Sequence, residues 1–261
     1  MPPNATCRRP ARKRLPGLGL FRKFPAGSRL PARPDWRRHQ PFIAMIQACL
    51  FDIGNVLVSF DYSRAFPSIA HRTERTLDEL LAHLRGSGAA LESGQLSSEE
   101  FIDAAQAFLG NGVSREAFLS AFTGIFELNT PVWELVTALR GVVPLYLFSN
   151  TSEIHESWLF ERWPEFRLFH GGFYSWRLGT MKPEPGMYEA AIRSLGVPPE
   201  AIAYIDDLPA NVAMGNRYGF RSHQYDRERH SELLAFLSEC GLPAPAEKLS
   251  PEPLDSPVSG V

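Results

Sequence analysis

Asp52 closes an apolar run, Met45-Ile-Gln-Ala-Cys-Leu-Phe51, and is followed by Ile53-Gly54-Asn55-Val56-Leu57-Val58. Three later segments complete a set: Ser149-Asn150-Thr151, Lys182 within Met181-Lys182-Pro183-Glu184-Pro185, and the pair Asp206-Asp207. A carboxylate nucleophile, a hydroxyl, an amine and two further carboxylates suit phosphoryl transfer to an aspartate. In that chemistry Lys182 neutralises Asp52 and the incoming phosphate, while Ser149 and nearby backbone amides hold phosphate oxygens. Asp52, Asp206 and Asp207 supply hard oxygen ligands of the kind that bind Mg²⁺. Each segment alone is an ordinary strand end or loop. Their order along the chain is what points to one active site.

These residues need a scaffold that delivers strand ends to one edge. The run ending at Phe51 reads as a buried parallel strand, and Val142-Val-Pro-Leu-Tyr-Leu-Phe148 and Ala201-Ile-Ala-Tyr-Ile205 read the same way. A further extended segment runs from Phe169 to Trp176. Helices between the strands predict an α/β fold with a doubly wound parallel sheet, whose right-handed crossovers bring the strand ends together. Between the first and second strands the pattern is helical. Leu77, Leu80, Leu81 and Leu84 form one stripe, Ser97-Ser98-Glu99-Glu100 opens a second helix and Ser114-Arg115-Glu116-Ala117 a third. This predicts a small α-helical insertion without strands. Its aromatic residues are expected to form its own core.

The expected organisation is therefore an α/β core over residues 45–60 and 130–240, with a helical cap over 61–129. A basic extension at 1–44 and a Pro-rich tail at 241–261 are expected to be disordered. Residues 1–45 carry 11 basic residues and one acid, a net of +10, which leaves −12 for the rest of a chain whose formal charge is −2. An acidic body argues against nucleic acid as a partner. The extension is rich in Arg but broken by eight prolines from Pro2 to Pro41, so it is expected to be dispensable. Three scattered cysteines exclude a disulfide framework or a zinc site. No apolar stretch is long enough to span a membrane, and no signal core precedes Met45. The reading is a cytoplasmic protein acting on a small molecule; the sequence assigns no oligomeric state.

With Phe51-Asp52-Ile53-Gly54-Asn55-Val56, Phe148-Ser149-Asn150-Thr151, Met181-Lys182-Pro183-Glu184-Pro185 with Tyr188, and Ile205-Asp206-Asp207 with Asn211, the chain resembles the haloacid dehalogenase superfamily. It is most similar to the branch with a helical cap after the first motif, which includes bacterial α-D-glucose-1-phosphate phosphatases and the phosphatase domain of soluble epoxide hydrolase. The resemblance implies that Asp52 is the nucleophile, that Ser149 and Asn150 contact phosphate and that Lys182 is the charge clamp. It implies Mg²⁺ held by Asp52, the Gly54 carbonyl and Asp207, with Asp206 direct or through water. The expected substrate is a small phosphate ester, such as a sugar 1-phosphate.

Gly54 departs from the family pattern, since phosphatases of the superfamily usually carry a second Asp there that protonates the leaving group. The sugar-1-phosphate branch is similar in lacking it. Without that acid, good leaving groups such as sugar 1-phosphates and aryl phosphates are expected to be favoured over 6-phosphates. Asn55 and Asp61 are the polar residues nearby, and His155 and Trp158 follow the second motif closely enough to approach the site. A haloacid dehalogenase would also use Asp52 but would need neither Mg²⁺ nor the Asp206-Asp207 pair. A catalytically weak binding protein would have no need of Asp52, Lys182 and Asp207 together.

Overall fold

The computed structural model describes residues 45–243. The expectations for residues 1–44 and for the tail after Pro243 lie outside the described residues. In chain order the elements begin with β1 (Ala48–Phe51), β2 (Val58–Phe60), α1 (Tyr62–Ala65), α2 (Pro67–Ala70), α3 (Leu77–Glu92), α4 (Ser98–Leu109) and α5 (Arg115–Thr123). They continue with β3 (Phe126–Leu128), α6 (Thr130–Leu139), β4 (Leu145–Ser149), α7 (Glu153–Arg162), β5 (Gly172–Tyr174), α8 (Ser175–Leu178) and α9 (Pro185–Leu195). The last are β6 (Ile202–Asp206), α10 (Pro209–Arg217), β7 (Arg221–Gln224) and α11 (His230–Glu239).

Five strands form one parallel sheet in the order β5-β4-β1-β6-β7, which puts β1 in the middle. Side chains alternate across it, as the period of two requires. Cys49, Phe51, Leu145, Leu147, Ala203 and Ile205 face one layer, built on α6, α7 and α11. Leu50, Phe148, Ile202 and Tyr204 face the other, built on Met187, Tyr188 and Ala191 of α9. Burying each large apolar side chain contributes about 1.5–3 kcal/mol, so a sheet covered on both sides is the stable arrangement for strands this apolar. The chain order reverses at β1, and the carboxyl ends of β4, β1 and β6 meet at that switch point.

The inserted helices have a separate core of Phe101, Ile102, Phe118, Phe122 and Ile125, closed by Leu80, Leu84 and Leu91 from α3. Capping boxes start α3 (Thr76 with Glu79) and α4 (Ser97 with Glu100), and Ser114 caps α5. Asp61 serves the same purpose for α1, accepting the Ser63 backbone N–H. The structure departs from expectation at the base of this layer. β2 and β3 pair antiparallel, Val58 opposite Leu128 and Phe60 opposite Phe126, and form a short ribbon where no strand was expected. α3 also runs on to Glu92, about two turns past the Leu77–Leu84 stripe that marks it in the sequence.

The end of α3 docks on the core. Gly94 has φ +68, and a Cβ there would lie 2.2 Å from the Trp176 carbonyl oxygen. Only glycine allows both that backbone conformation and that approach.

Candidate active site

Asp52, Ser149 and Asp206 stand at the carboxyl ends of β1, β4 and β6, and the Asp52 N–H donates to the Ile205 carbonyl at 2.9 Å. Lys182 arrives from the loop before α9 and is 5% exposed. Its ammonium has three protons and three partners: Asp206 Oδ2 at 2.5 Å, the Phe148 carbonyl at 2.6 Å and Asp52 Oδ1 at 3.1 Å. Burial alone would lower its pKa. The Asp52 and Asp206 carboxylates outweigh that and raise it, so the side chain stays charged.

The carboxylates feel the opposite balance. Burial pushes Asp52 up to about 7, partly opposed by the charge of Lys182 and by the Ser149 hydroxyl. Asp207 is also raised by burial, against a hydrogen bond from Asn55 Nδ2 at 2.9 Å. Asn55 makes that bond from the left-handed region, φ 53, a conformation asparagine tolerates better than most residues. Oxygens of Asp52, Asp206 and Asp207 lie within 4.8 Å of one another. Two of these three carboxylates pair with Lys182, and the excess negative charge is what a hard dication would relieve. The donor set therefore fits Mg²⁺.

Two of the expected site residues, Asp206 and Asn150, hold Lys182 in place. Asp206 is wholly buried and its oxygens accept from Lys182, the Tyr204 hydroxyl, the Leu208 N–H and Asn211 Nδ2. With those partners in place it fixes Lys182. Asn150, expected to touch phosphate, lines the cavity described below, and its side chain clamps the backbone of Lys182, accepting the Lys182 N–H at 2.7 Å and donating to the Lys182 carbonyl at 2.9 Å.

A cavity of about 290 Å³ opens over these groups, lined by Asp52, Gly54, Asn55, Ser149, Asn150, Lys182 and Asp207 from the core. Phe60, Tyr62, Glu92, Phe126 and His155 complete its lining. Sequence reasoning missed Tyr62 and Glu92, because nothing local marks a residue of the helical layer as facing the sheet edge. Of the two residues after the second motif, His155 reaches the cavity, whereas Trp158 packs on Phe126 and Trp163. A second chamber, about 280 Å³, continues into the helical layer and shares Tyr62, Glu92 and His155 with the first.

A family model of the haloacid dehalogenase-like hydrolases matches residues 46–219, the span that carries every one of these groups. The chain belongs to that family. Among curated proteins, this haloacid dehalogenase-like hydrolase is 28% identical over 191 residues to D-ribitol-5-phosphate phosphatase of Bacteroides thetaiotaomicron, covering 69% of this chain and 92% of the relative. Among solved structures, it is similar to a family enzyme of the same organism in complex with magnesium and inorganic phosphate. That match has 25% identity and a TM-score of 0.64, covering 70% of this chain and 95% of the other. It is also similar to a family hydrolase from Porphyromonas gingivalis, with 26% identity and a TM-score of 0.60, covering 73% and 98%.

In this hydrolase the helical cap is held to the core partly by a histidine. The His155 ring stacks on Phe122 with centroids 4.3 Å apart, and its Nε2 bonds the Phe122 carbonyl at 3.2 Å. Burial pushes its pKa down to about 4 from an ordinary 6.5. Between those values the unfolded chain binds the proton and the folded one does not, so stability falls as pH drops from 6.5 toward 4 and the loss levels off below. A gap of this size corresponds to about 3 kcal/mol. Urea unfolding of the protein and of His155→Gln at several pH values should show this slope in their difference. Asp52, whose raised pKa acts in the opposite direction, is common to both and cancels. Equal slopes would show that His155 does not titrate in this way.

Proposed function

We propose that the protein is a Mg²⁺-dependent phosphomonoesterase that works through an aspartyl-phosphate on Asp52. The observation that carries this reading is Lys182, set between Asp52 and Asp206 at the floor of the cavity by hydrogen bonds to Asp206 and the Phe148 carbonyl and an ion pair with Asp52. Asp52 attacks phosphorus while Lys182 balances the charge of both. The Ser149 hydroxyl and the backbone N–H groups after Asp52 and Ser149 bind phosphate oxygens, and Asn150 holds Lys182 in register. Asp52, the Gly54 carbonyl and Asp207 would hold Mg²⁺, which would supply positive charge against the developing phosphate oxygens.

The substrate is a small phosphorylated metabolite, a sugar or sugar-alcohol phosphate, with sugar 1-phosphates among the candidates. The similarity to a D-ribitol-5-phosphate phosphatase supports the class. Neither nucleic acid nor a membrane has a part in this reading. Among the described residues no helix is long and apolar enough to cross a membrane. The buried, unbridged Cys49 and Cys240 support a reducing compartment such as the cytoplasm.

The test is phosphate release from a panel of phosphomonoesters by purified protein. Turnover is expected with Mg²⁺, lost in EDTA and restored by adding the ion back. Chloride release from 2-haloacids without metal, with no phosphatase activity, would replace this reading with the dehalogenase one.

A further inference from the structure

The reaction proposed above needs a proton for the departing alcohol, and the usual source is absent at Gly54. A Cβ on Gly54 would lie 3.3 Å from the Phe60 ring, so a side chain there would have to shift that ring. The donor must come from elsewhere in the cavity.

The titratable groups that line it can be taken in turn. Asp52 is the nucleophile and Asp207 faces the cation. All three protons of Lys182 are engaged by Asp206, Phe148 and Asp52. Burial drives His155 neutral, and its Nε2 is bonded to Phe122. Tyr62 is pushed up to about 12 by burial, too weak an acid for this task. Glu92 remains. It lines both the cavity over Asp52 and the chamber inside the cap, so it stands where a substrate spanning the two would pass.

Three features suit Glu92 to the part. Among the described residues it makes no hydrogen bond or ion pair, and Tyr62 is the neighbour whose ionisation its charge opposes. Burial raises its pKa, and its place as the last residue of α3 sets it at the negative end of the helix dipole, which also disfavours the anion. The docking of Gly94 against the Trp176 carbonyl, two residues on, fixes the end of α3 over the site.

The geometry points to Glu92 as the general acid–base of this enzyme, delivered by the cap in place of the carboxylate missing at Gly54. The Asp52 oxygen bonds to phosphorus, the ester P–O bond breaks, and the leaving oxygen takes the Glu92 proton. Water then attacks phosphorus, the bond to Asp52 breaks, and the Glu92 carboxylate takes the water proton back. The leaving-group restriction expected from Gly54 alone is thereby lifted, and primary alkyl phosphates become substrates.

This assignment rests on the phosphatase reading, and the test separates the two. Wild type, Glu92→Gln, Glu92→Asp and Asp52→Asn are compared in Mg²⁺ on 4-nitrophenyl phosphate, whose leaving group needs no proton, and on D-ribitol 5-phosphate or the best alkyl phosphate of the panel. Glu92→Gln should lose roughly 10²–10⁴-fold on the alkyl ester and less than about tenfold on the aryl one. Glu92→Asp, which keeps an acid, should recover part of the alkyl rate. Equal losses on both esters, as misfolding or a purely structural role would give, overturn the assignment, and so does an unchanged alkyl rate. Full activity of Asp52→Asn overturns the aspartyl-phosphate mechanism and the Glu92 assignment with it, and a wild type that turns over neither ester overturns the phosphatase reading itself.

Discussion

Asp52→Asn is expected to remove essentially all phosphate release, on the order of 10⁴–10⁶ in kcat, because no neighbouring group can take over the bond to phosphorus. A hydroxyl such as Ser149 and an ammonium such as Lys182 do not replace a carboxylate nucleophile, and Asp207 accepts a hydrogen bond from Asn55, so none is placed to act as a substitute. The fold should survive the change. Burial already holds the Asp52 carboxyl near pKa 7, so the neutral amide resembles a form the native protein tolerates. Melting temperature in EDTA is therefore expected to match or exceed that of the wild type. Mg²⁺ should raise the melting temperature of the wild type, and of Asp52→Asn much less, since a ligand stabilises a protein in proportion to its affinity for the folded state. Near-normal turnover by the variant would remove the covalent mechanism.

How far this site could be read from sequence follows from how it is built. Asp52 and the Asp206-Asp207 pair end strands whose apolar runs are unmistakable, and a parallel sheet leaves their carboxyl ends only one place to go. Lys182 was legible through its prolines and its place before a helix. The short ribbon was not: Phe126–Leu128 is three residues long, and its pairing with β2 depends on where the cap begins and ends. Likewise β7, with the pattern Arg-Ser-His-Gln, carries no apolar signal, being held at the sheet edge through its backbone. Asn150 and Asp206 were found as site residues, yet what each side chain bonds is a tertiary fact. Glu92 is the clearest case. Forty residues separate it from Asp52, and it joins the site only because Gly94 lets α3 settle on Trp176.

Lys182→Met is expected to cost both stability and catalysis, and the two losses have different remedies. The ammonium sits 2.5 Å from Asp206 and 3.1 Å from Asp52, almost wholly buried. Removing one partner of a buried ion pair leaves uncompensated charge, which typically costs about 3–5 kcal/mol. Among the described residues Asp206 has other hydrogen bonds but no other ion pair, so it bears most of that penalty. The pKa of Asp52 should rise further once the lysine that lowers it is gone, which carries the acidic limb of the rate profile upward and leaves less of the nucleophile ionised. Turnover should fall by at least roughly 10²–10³, the scale of losing one preorganised group at developing charge. Adding Asp206→Asn to Lys182→Met removes the stranded carboxylate, so urea unfolding should show much of the stability returning. Activity should not return, because nothing then neutralises Asp52 and the phosphate. Recovery of both together would mean that Lys182 serves only to hold the sheet edge in place, and a Lys182→Met protein with wild-type stability would mean that the buried pair is not formed.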